Sequence, residues 1–271
     1  RLGVPLKEIS VAEVDTDISP FGFGSFATRG TLMGGNGVLA AANEAFKQLA
    51  EVAADMLEAN AGDIDCRDGN FFVKGSPEIK VPFRDVAEKA AFDRHGAPIV
   101  GTGFYDPPTV FPDAKTKYGN ISPAYPFGCH IAEVEVDPDT GQVTVLNFAA
   151  AHDVGKAINP MATEGQIQGG VAQGLGWTLM ENMVTENGKI MNPGFLDYII
   201  PTAMDIPKIT PLLVEPVEPN GPYGAKGIGE PALNPSMSAI TNAIYDATGI
   251  RITELPVSPE KILAELKKQK E

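Results

Sequence analysis

Apolar positions recur at helical spacing between about Gly37 and Asn60: Phe46, Leu49, Ala53, Met56 and Leu57 share one face. Glu44, Lys47, Glu51 and Glu58 fall largely elsewhere, so the stretch predicts an amphipathic helix, ended by Ala61-Gly62-Asp63. The period then shortens. Ile64 to Arg67 and Phe71 to Lys74 flank Asp68-Gly69-Asn70, the pattern of a hairpin. A short helix is expected from Phe83 to Ala91, introduced by Pro82. Further on, His130 to Val136 sets Ile131, Glu133 and Glu135 against Ala132, Val134 and Val136. Asp137-Pro138-Asp139-Thr140-Gly141 makes a turn after that strand, without the downstream ligands of a calcium loop, and Val143 to Ala151 returns as its partner.

A third helix is predicted from Thr163 to Met180, with Ile167, Val171, Leu175 and Leu179 as its apolar stripe. It carries glycines at 165, 169, 170, 174 and 176. Each costs about 1 kcal/mol relative to alanine inside a helix, so the run predicts close approach by another element or by a ligand. Its glutamines are expected to lie largely buried and to be satisfied either by backbone groups or by a polar ligand. The last strong helix is expected from Pro235 to Thr248, capped by Asn234, with Met237, Ile240 and Ile244 inward and Gly249 at its end. Residues 96–126 are rich in proline, glycine and aromatics. Over 99–127, Phe104, Tyr105, Phe111, Tyr118, Tyr125 and Phe127 have two readings, core packing or the walls of a pocket. The sum is an α+β protein of two α/β subdomains with mixed sheets, 1–120 and 121–271.

Charge narrows the partners. With 21 basic against 35 acidic residues the net charge is −14, which argues against nucleic acid or an anionic membrane as partner. A small anionic ligand stays open, because helix starts and glycine-rich turns bind phosphate through backbone N–H groups. No apolar run reaches the length of a membrane span. The chain opens on Arg1, so nothing about targeting is read from its start. Cys66 and Cys129 form no C-x-x-C pair, and reduced thiols are expected of them, as in a cytoplasmic protein. The histidines at 95, 130 and 152 have no metal-ligand spacing, so a metal here must bring its own ligands.

Three segments carry candidate chemistry. Gly22 to Gly30, just before the first long helix, has the Gly22-x-Gly24-x-x-Ala27 spacing of a dinucleotide turn, but no buried strand leads into it. Its small and hydroxylated residues suit an anionic cofactor, or an ordinary loop and cap. His152-Asp153-Val154-Gly155-Lys156-Ala157-Ile158-Asn159-Pro160 runs into Glu164-Gly165-Gln166 and Gln173-Gly174. Tyr223-Gly224-Ala225-Lys226-Gly227-Ile228-Gly229-Glu230-Pro231 places a carboxylate after small residues and ahead of a buried helix. From there it projects into a cleft, where burial would suit it to general-base work, or it is a surface carboxylate.

In that order and spacing, the three segments resemble the molybdenum hydroxylases, the xanthine dehydrogenase and aldehyde oxidoreductase family, over nearly the whole chain. The resemblance implies the family's second molybdenum-cofactor-binding domain. Its cofactor is a molybdenum held by the dithiolene of a pyranopterin, in bacteria often the cytosine dinucleotide form, with no protein side chain as metal ligand. Glu230 matches the family's catalytic glutamate, which takes a proton from a molybdenum-bound hydroxyl as that oxygen passes to an electron-poor carbon. Gln166 matches a cofactor-binding glutamine, and Gln173 is a further candidate. Gly24, Ser25, Phe26, Ala27, Thr28 and Arg29 match the loop beside the pterin or its phosphate tail. Lys226, Gly227, Ile228 and Gly229 match the floor beside Glu230.

The family's molybdenum-binding unit is longer, and its first half has no counterpart here. The same resemblance therefore implies partners: that N-terminal half, and iron–sulfur and FAD subunits or domains, in a hetero-oligomer acting on a small molecule. The chain is then either a separate subunit, as in nicotinate dehydrogenase-type enzymes, or a piece of a complete large subunit. Oxidation of an aldehyde or an N-heterocycle with water-derived oxygen is the leading expectation. A non-catalytic cofactor-binding subunit, and the sister chemistries of carbon monoxide oxidation and aryl-thioester dehydroxylation, are the alternatives.

Overall fold

The first long helix, α1, runs from Gly35 to Leu57 in the computed structural model, which describes residues 1–270, the last by its backbone alone. Phe46, Leu49, Ala50, Ala53 and Ala54 form its buried face. Glu58 closes it in the left-handed conformation (φ 51°), its N–H donating to the Ala54 carbonyl. The predicted hairpin is β1 (Ile64–Arg67) with β2 (Asn70–Val73), and an unforeseen third strand, β3 (Ser76–Pro82), joins β2 antiparallel. The helix α2 (Phe83–Asp93) follows directly. Phe71 sits at the centre of this layer, 5.8 Å from the Phe46 ring and 5.3 Å from that of Phe83. These elements make one compact unit, Arg1–Pro108.

The second unit begins at Thr109, ahead of the boundary near residue 120 expected from the sequence. Val110 and Asn120 exchange backbone hydrogen bonds of 2.7 and 2.8 Å, which closes residues 110–120 into one loop. Its sheet is mixed. Strand β4 (Gly128–Val136) pairs antiparallel with β5 (Val143–Asp153). After α3 (Pro160–Leu179) and a small hairpin of β6 (Thr185–Glu186) and β7 (Lys189–Ile190), β8 (Lys208–Val214) pairs with β5 in parallel. Then come α4 (Asn234–Thr248) and α5 (Pro259–Lys270).

The third helix starts three residues earlier than its apolar stripe suggested, because Asn159 accepts from the Ala162 N–H and Pro160 fills the first turn. Asn234, expected as a cap, is already helical. Leu233 holds the cap position, with no side-chain hydrogen bond. Alternation puts Ala132, Val134, Phe148, Ala150 and His152 on the inner face of the sheet, against α3 and α4. The aromatics of the proline-rich stretch are not core: Phe104, Phe111 and Tyr118 are each more than four-fifths exposed. Among the described residues no helix is long and apolar enough to cross a membrane.

Candidate active site

The end of β5 and the glycine-rich segment before α4 are stitched together. Val154 donates to Val214 (3.0 Å), Lys226 to Val154 (2.9 Å) and Lys156 to Gly224 (2.7 Å). Gly155, at φ +56°, bridges to Ala225, and a Cβ on it would lie 2.3 Å from the Gly224 carbonyl oxygen. The glycine of Asp153-Val154-Gly155 is therefore required by backbone contact.

Lys226 lies in this seam. Its Nζ is 2.6 Å from Asp153 Oδ2, 3.1 Å from the Tyr125 carbonyl and 3.8 Å from Glu218 Oε2, with about a tenth of each charged side chain exposed. Its ammonium is thus spent on internal partners, although the sequence placed Lys226 among the cofactor contacts. Gly227 and Ile228 are buried, while Gly229 and Glu230 emerge at the surface. The Glu230 carbonyl accepts from the Leu233 N–H (3.1 Å), which turns the chain into α4. The cleft burial expected for the Glu230 carboxylate is not provided by this chain.

Helix α3 buries one face, Ile167, Gly170, Val171, Gly174, Leu175 and Thr178. Gln166 and Gln173 are exposed, so the expectation of buried amides does not hold: Gly170, Gly174 and Gly176, not the glutamines, are buried. A Cβ on Gly170 would sit 2.5 Å from Ala232 Cβ, and one on Gly174 2.4 Å from Ser236 Cβ. The close approach predicted from the glycine run is thus made by the segment after Glu230. Gly165 and Gly169, on the outer side, meet nothing within 4 Å. Gln166 Oε1 is 3.9 Å from where a Gly229 Cβ would be, which makes Gln166 a neighbour of the Glu230 turn. Gln173 lies about 10 Å further along the helix.

One buried group escaped the sequence reading. His152 is fully buried, its Nε2 2.6 Å from His130 Nε2, and His130 Nδ1 is 3.1 Å from Ser236 Oγ. Burial, and then the neighbouring His152, push the His130 imidazole down to about 4; burial also lowers His152. Both rings are therefore neutral at pH 7, sharing one proton between the two Nε2 atoms. His152 Nδ1 has no hydrogen-bond partner among the described residues. The strand alternation was the available signal, since it puts both rings on the inner face. Among the described residues no three His, Cys, Asp or Glu side chains gather as a metal site. A half-open cavity of about 510 Å³ lies elsewhere, at the start of β5 between Val143, Leu179, Met204 and Ile206, and includes none of the candidate residues.

In the first unit, the loop Gly24 to Arg29 is exposed along Gly24, Ser25, Phe26 and Ala27, with Thr28 and Arg29 half-buried. Arg29 donates to the Gly24 carbonyl (3.1 Å) and lies 5.4 Å from the Phe26 ring centre. Ala27 and Thr28 are both left-handed, at φ 50° and 55°. Such conformations cost about 1–3 kcal/mol for residues with a Cβ and are concentrated at functional loops. A π-helical turn, Gly30–Gly34, then leads into α1.

The family described as the molybdopterin cofactor-binding domain matches residues 1–207. The chain is 34% identical to the 6-hydroxypseudooxynicotine dehydrogenase complex subunit gamma of Paenarthrobacter nicotinovorans, over 97% of this chain and 33% of that protein. It is 32% identical to a putative xanthine dehydrogenase molybdenum-binding subunit of Escherichia coli K12, over 97% of this chain and 34% of the relative. The fold superposes on quinoline 2-oxidoreductase of Pseudomonas putida 86 with a TM-score of 0.86 and 32% identity, covering 98% of this chain and 34% of that one. The chain spans about a third of the length of the relatives it matches.

Proposed function

Because the chain belongs to the family of molybdopterin cofactor-binding domains, we propose that it is the part of a molybdenum hydroxylase that presents Glu230 as catalytic base. The observation that carries this reading is the placement of Glu230: an exposed residue directly after Gly229, whose built Cβ position is 3.9 Å from Oε1 of the exposed Gln166 on α3. At Gly165 and Gly169 nothing in this chain lies within 4 Å of where a Cβ would be, so a ligand can approach the α3 backbone there. The residues present fit the group.

When bound, molybdenum–pyranopterin supplies oxygen transfer and takes up two electrons. This chain supplies the seat and the base. Gln166 would hydrogen-bond the cofactor through its amide, Gly229 would floor the site with Gly227 and Ile228 buried beneath it, and Gln173 would be a more distant contact. In the first unit, Ser25, Thr28 and Arg29, with the backbone of Gly24, Phe26 and Ala27, bind the anionic tail, taken here as the cytosine dinucleotide form. Glu230 accepts a proton at a carboxylate oxygen as water-derived oxygen reaches an electron-poor carbon of an aldehyde or N-heterocycle. The remaining wall of the site comes from the first half of the molybdenum-binding unit. Electrons leave through iron–sulfur and FAD partners.

The test is Glu230→Gln in the assembled complex. Turnover falls by about 10²–10⁴-fold while molybdenum and pterin stay bound. Undiminished turnover in a fully loaded variant would refute the assignment.

A further inference from the structure

The first unit begins with an arm that its own sheet does not use. Gly3 rests on β1: a Cβ there would lie 2.4 Å from the Cys66 carbonyl oxygen, and the Gly3 carbonyl accepts from the Gly69 N–H (2.7 Å). Val4 is half-buried, and every residue from Pro5 to Ala27 is exposed. Two local turns punctuate the arm. Leu6 to Glu8 form a single 3-10 turn, after which the Leu6 carbonyl accepts from the Ile9 N–H (3.0 Å). Further on, the Asp15 carbonyl accepts from the N–H groups of Ile18 (3.2 Å) and Ser19 (2.7 Å), and Asp15 Oδ1 from that of Asp17 (2.9 Å).

Between the turns, Ser10 to Val14 belong to no helix or sheet. Among the described residues, none of their backbone N–H groups donates to a partner. The stretch nevertheless has the composition of a strand. Ile9, Val11 and Val14 are β-branched, Ile9 is already extended (φ −102°, ψ 125°), and neither glycine nor proline interrupts residues 6–19. Val11 and Val14 are each 91% exposed. In an extended chain they point to opposite faces, so laying the arm on one surface cannot cover both. A strand in a sheet with both faces covered does, and free N–H and C=O groups along an extended segment are what strand addition uses.

The arm lies within residues 1–207, which the cofactor-binding family matches, so it is part of the domain and not a linker. The relatives are about three times as long as the stretch they share with this chain, and so carry the sheet that the arm lacks here. A second copy of this chain is a poor alternative. From Pro5 to Ser19 one lysine stands against Glu8, Glu13, Asp15 and Asp17, and the whole chain has a net charge of −14.

We propose that Ile9 to Val14 is a strand that completes a sheet of the remainder of the molybdenum-binding unit, adding along one of its edges. The neighbouring strand is apolar, with lysine or arginine beside Glu8 and Glu13. The inference rests on the reading above in one respect, that a remainder of the unit closes the site.

The experiment is residue-resolved amide exchange on the complex purified with this chain in it, with molybdenum and pterin read on the same sample. Only every second N–H of an added strand points at its neighbour. Alternate amides, Ser10, Ala12 and Val14 or else Val11 and Glu13, should therefore exchange at least about 100-fold more slowly than in an unstructured peptide. Proline removes one donor, so one of Ala12→Pro and Glu13→Pro should lower the remaining protection by at least about tenfold and the other leave it unchanged. Glu13→Gln, which removes the charge alone, should keep protection within about twofold. A photocrosslinking residue in place of Val11 should label the remainder of the molybdenum-binding unit. Free exchange throughout Ser10 to Val14, equal effects of the two prolines, or cross-links confined to this chain or a second copy of it would overturn the proposal. A complex with neither molybdenum nor pterin would refute the functional reading instead, while the amide pattern would still decide this one.

Discussion

Cys66 and Cys129 share a side chain and differ in almost everything else. Cys66 is buried against Gly3, and burial, with Asp65 beside it, pushes its thiol up to about 11, so it stays protonated at neutral pH. Cys129 is exposed near the start of β4. In the native chain a thiol reagent at pH 8 should label Cys129 alone, and both cysteines after denaturation; rapid native labelling of Cys66 would contradict its burial. The His130–His152 pair gives stability a pH dependence of definite sign. Unfolded, His130 takes up a proton near 6.5; folded, only at about 4. The unfolded state therefore gains the proton first as pH falls, and the stability lost appears between pH 6.5 and 4. The melting temperature should drop through that window, and His130→Gln should flatten the slope; an equal slope in the variant would acquit the pair. At this scale the sequence singled out Glu230 and Gln166 as candidates, each within its own recognisable local run. It could not expose the ion pairing of Lys226, since its partners Asp153 and Tyr125 lie 73 and 101 residues away. Nor could it expose the histidine pair, because alternation tells which face a ring takes and not what it meets there.

Helix α3 shows how one residue type can have opposite effects along a single element. Gly170 and Gly174 are needed for contact, so alanine at either position should destabilise the chain by about 1–3 kcal/mol through overpacking. Gly165 and Gly169 face open space, and alanine there should stabilise it by up to about 1 kcal/mol through helix propensity. Urea unfolding of the four single variants distinguishes them; a loss at 165 or 169 equal to that at 170 would mean that the outer face is covered within this chain. The helices α1, α3 and α4 were legible because long periodic stripes set them. Strands β3 and β8 were not. β3 is largely exposed and lacks alternation, and β8 carries Pro211, which an edge strand tolerates but a sequence reading takes as evidence against a strand. α5 also went unseen: it is short and rich in charge, with Ile262 as its deeply buried anchor.

Over the whole molecule, the chain leaves much apolar surface uncovered. On the outer face of the second unit's sheet, Ile131, Leu212 and Val214 are each at least half exposed, and Phe195 and Leu196 are more than four-fifths exposed. Surface of that kind commonly marks an interface. With the chain spanning about a third of its relatives' length, the purified chain alone should self-associate and show no turnover, and co-expression with the complementary half should give a discrete complex on size-exclusion chromatography. A monodisperse, soluble monomer would argue that the exposed surface needs no partner. The central claim, that this chain helps seat molybdenum–pyranopterin beside Glu230, is tested most directly by metal and pterin analysis of the complex purified from its natural source. The account predicts about one molybdenum per copy of the chain and a pterin that becomes fluorescent on oxidation. A stoichiometric complex holding neither, from cells supplied with ample molybdate, would contradict it.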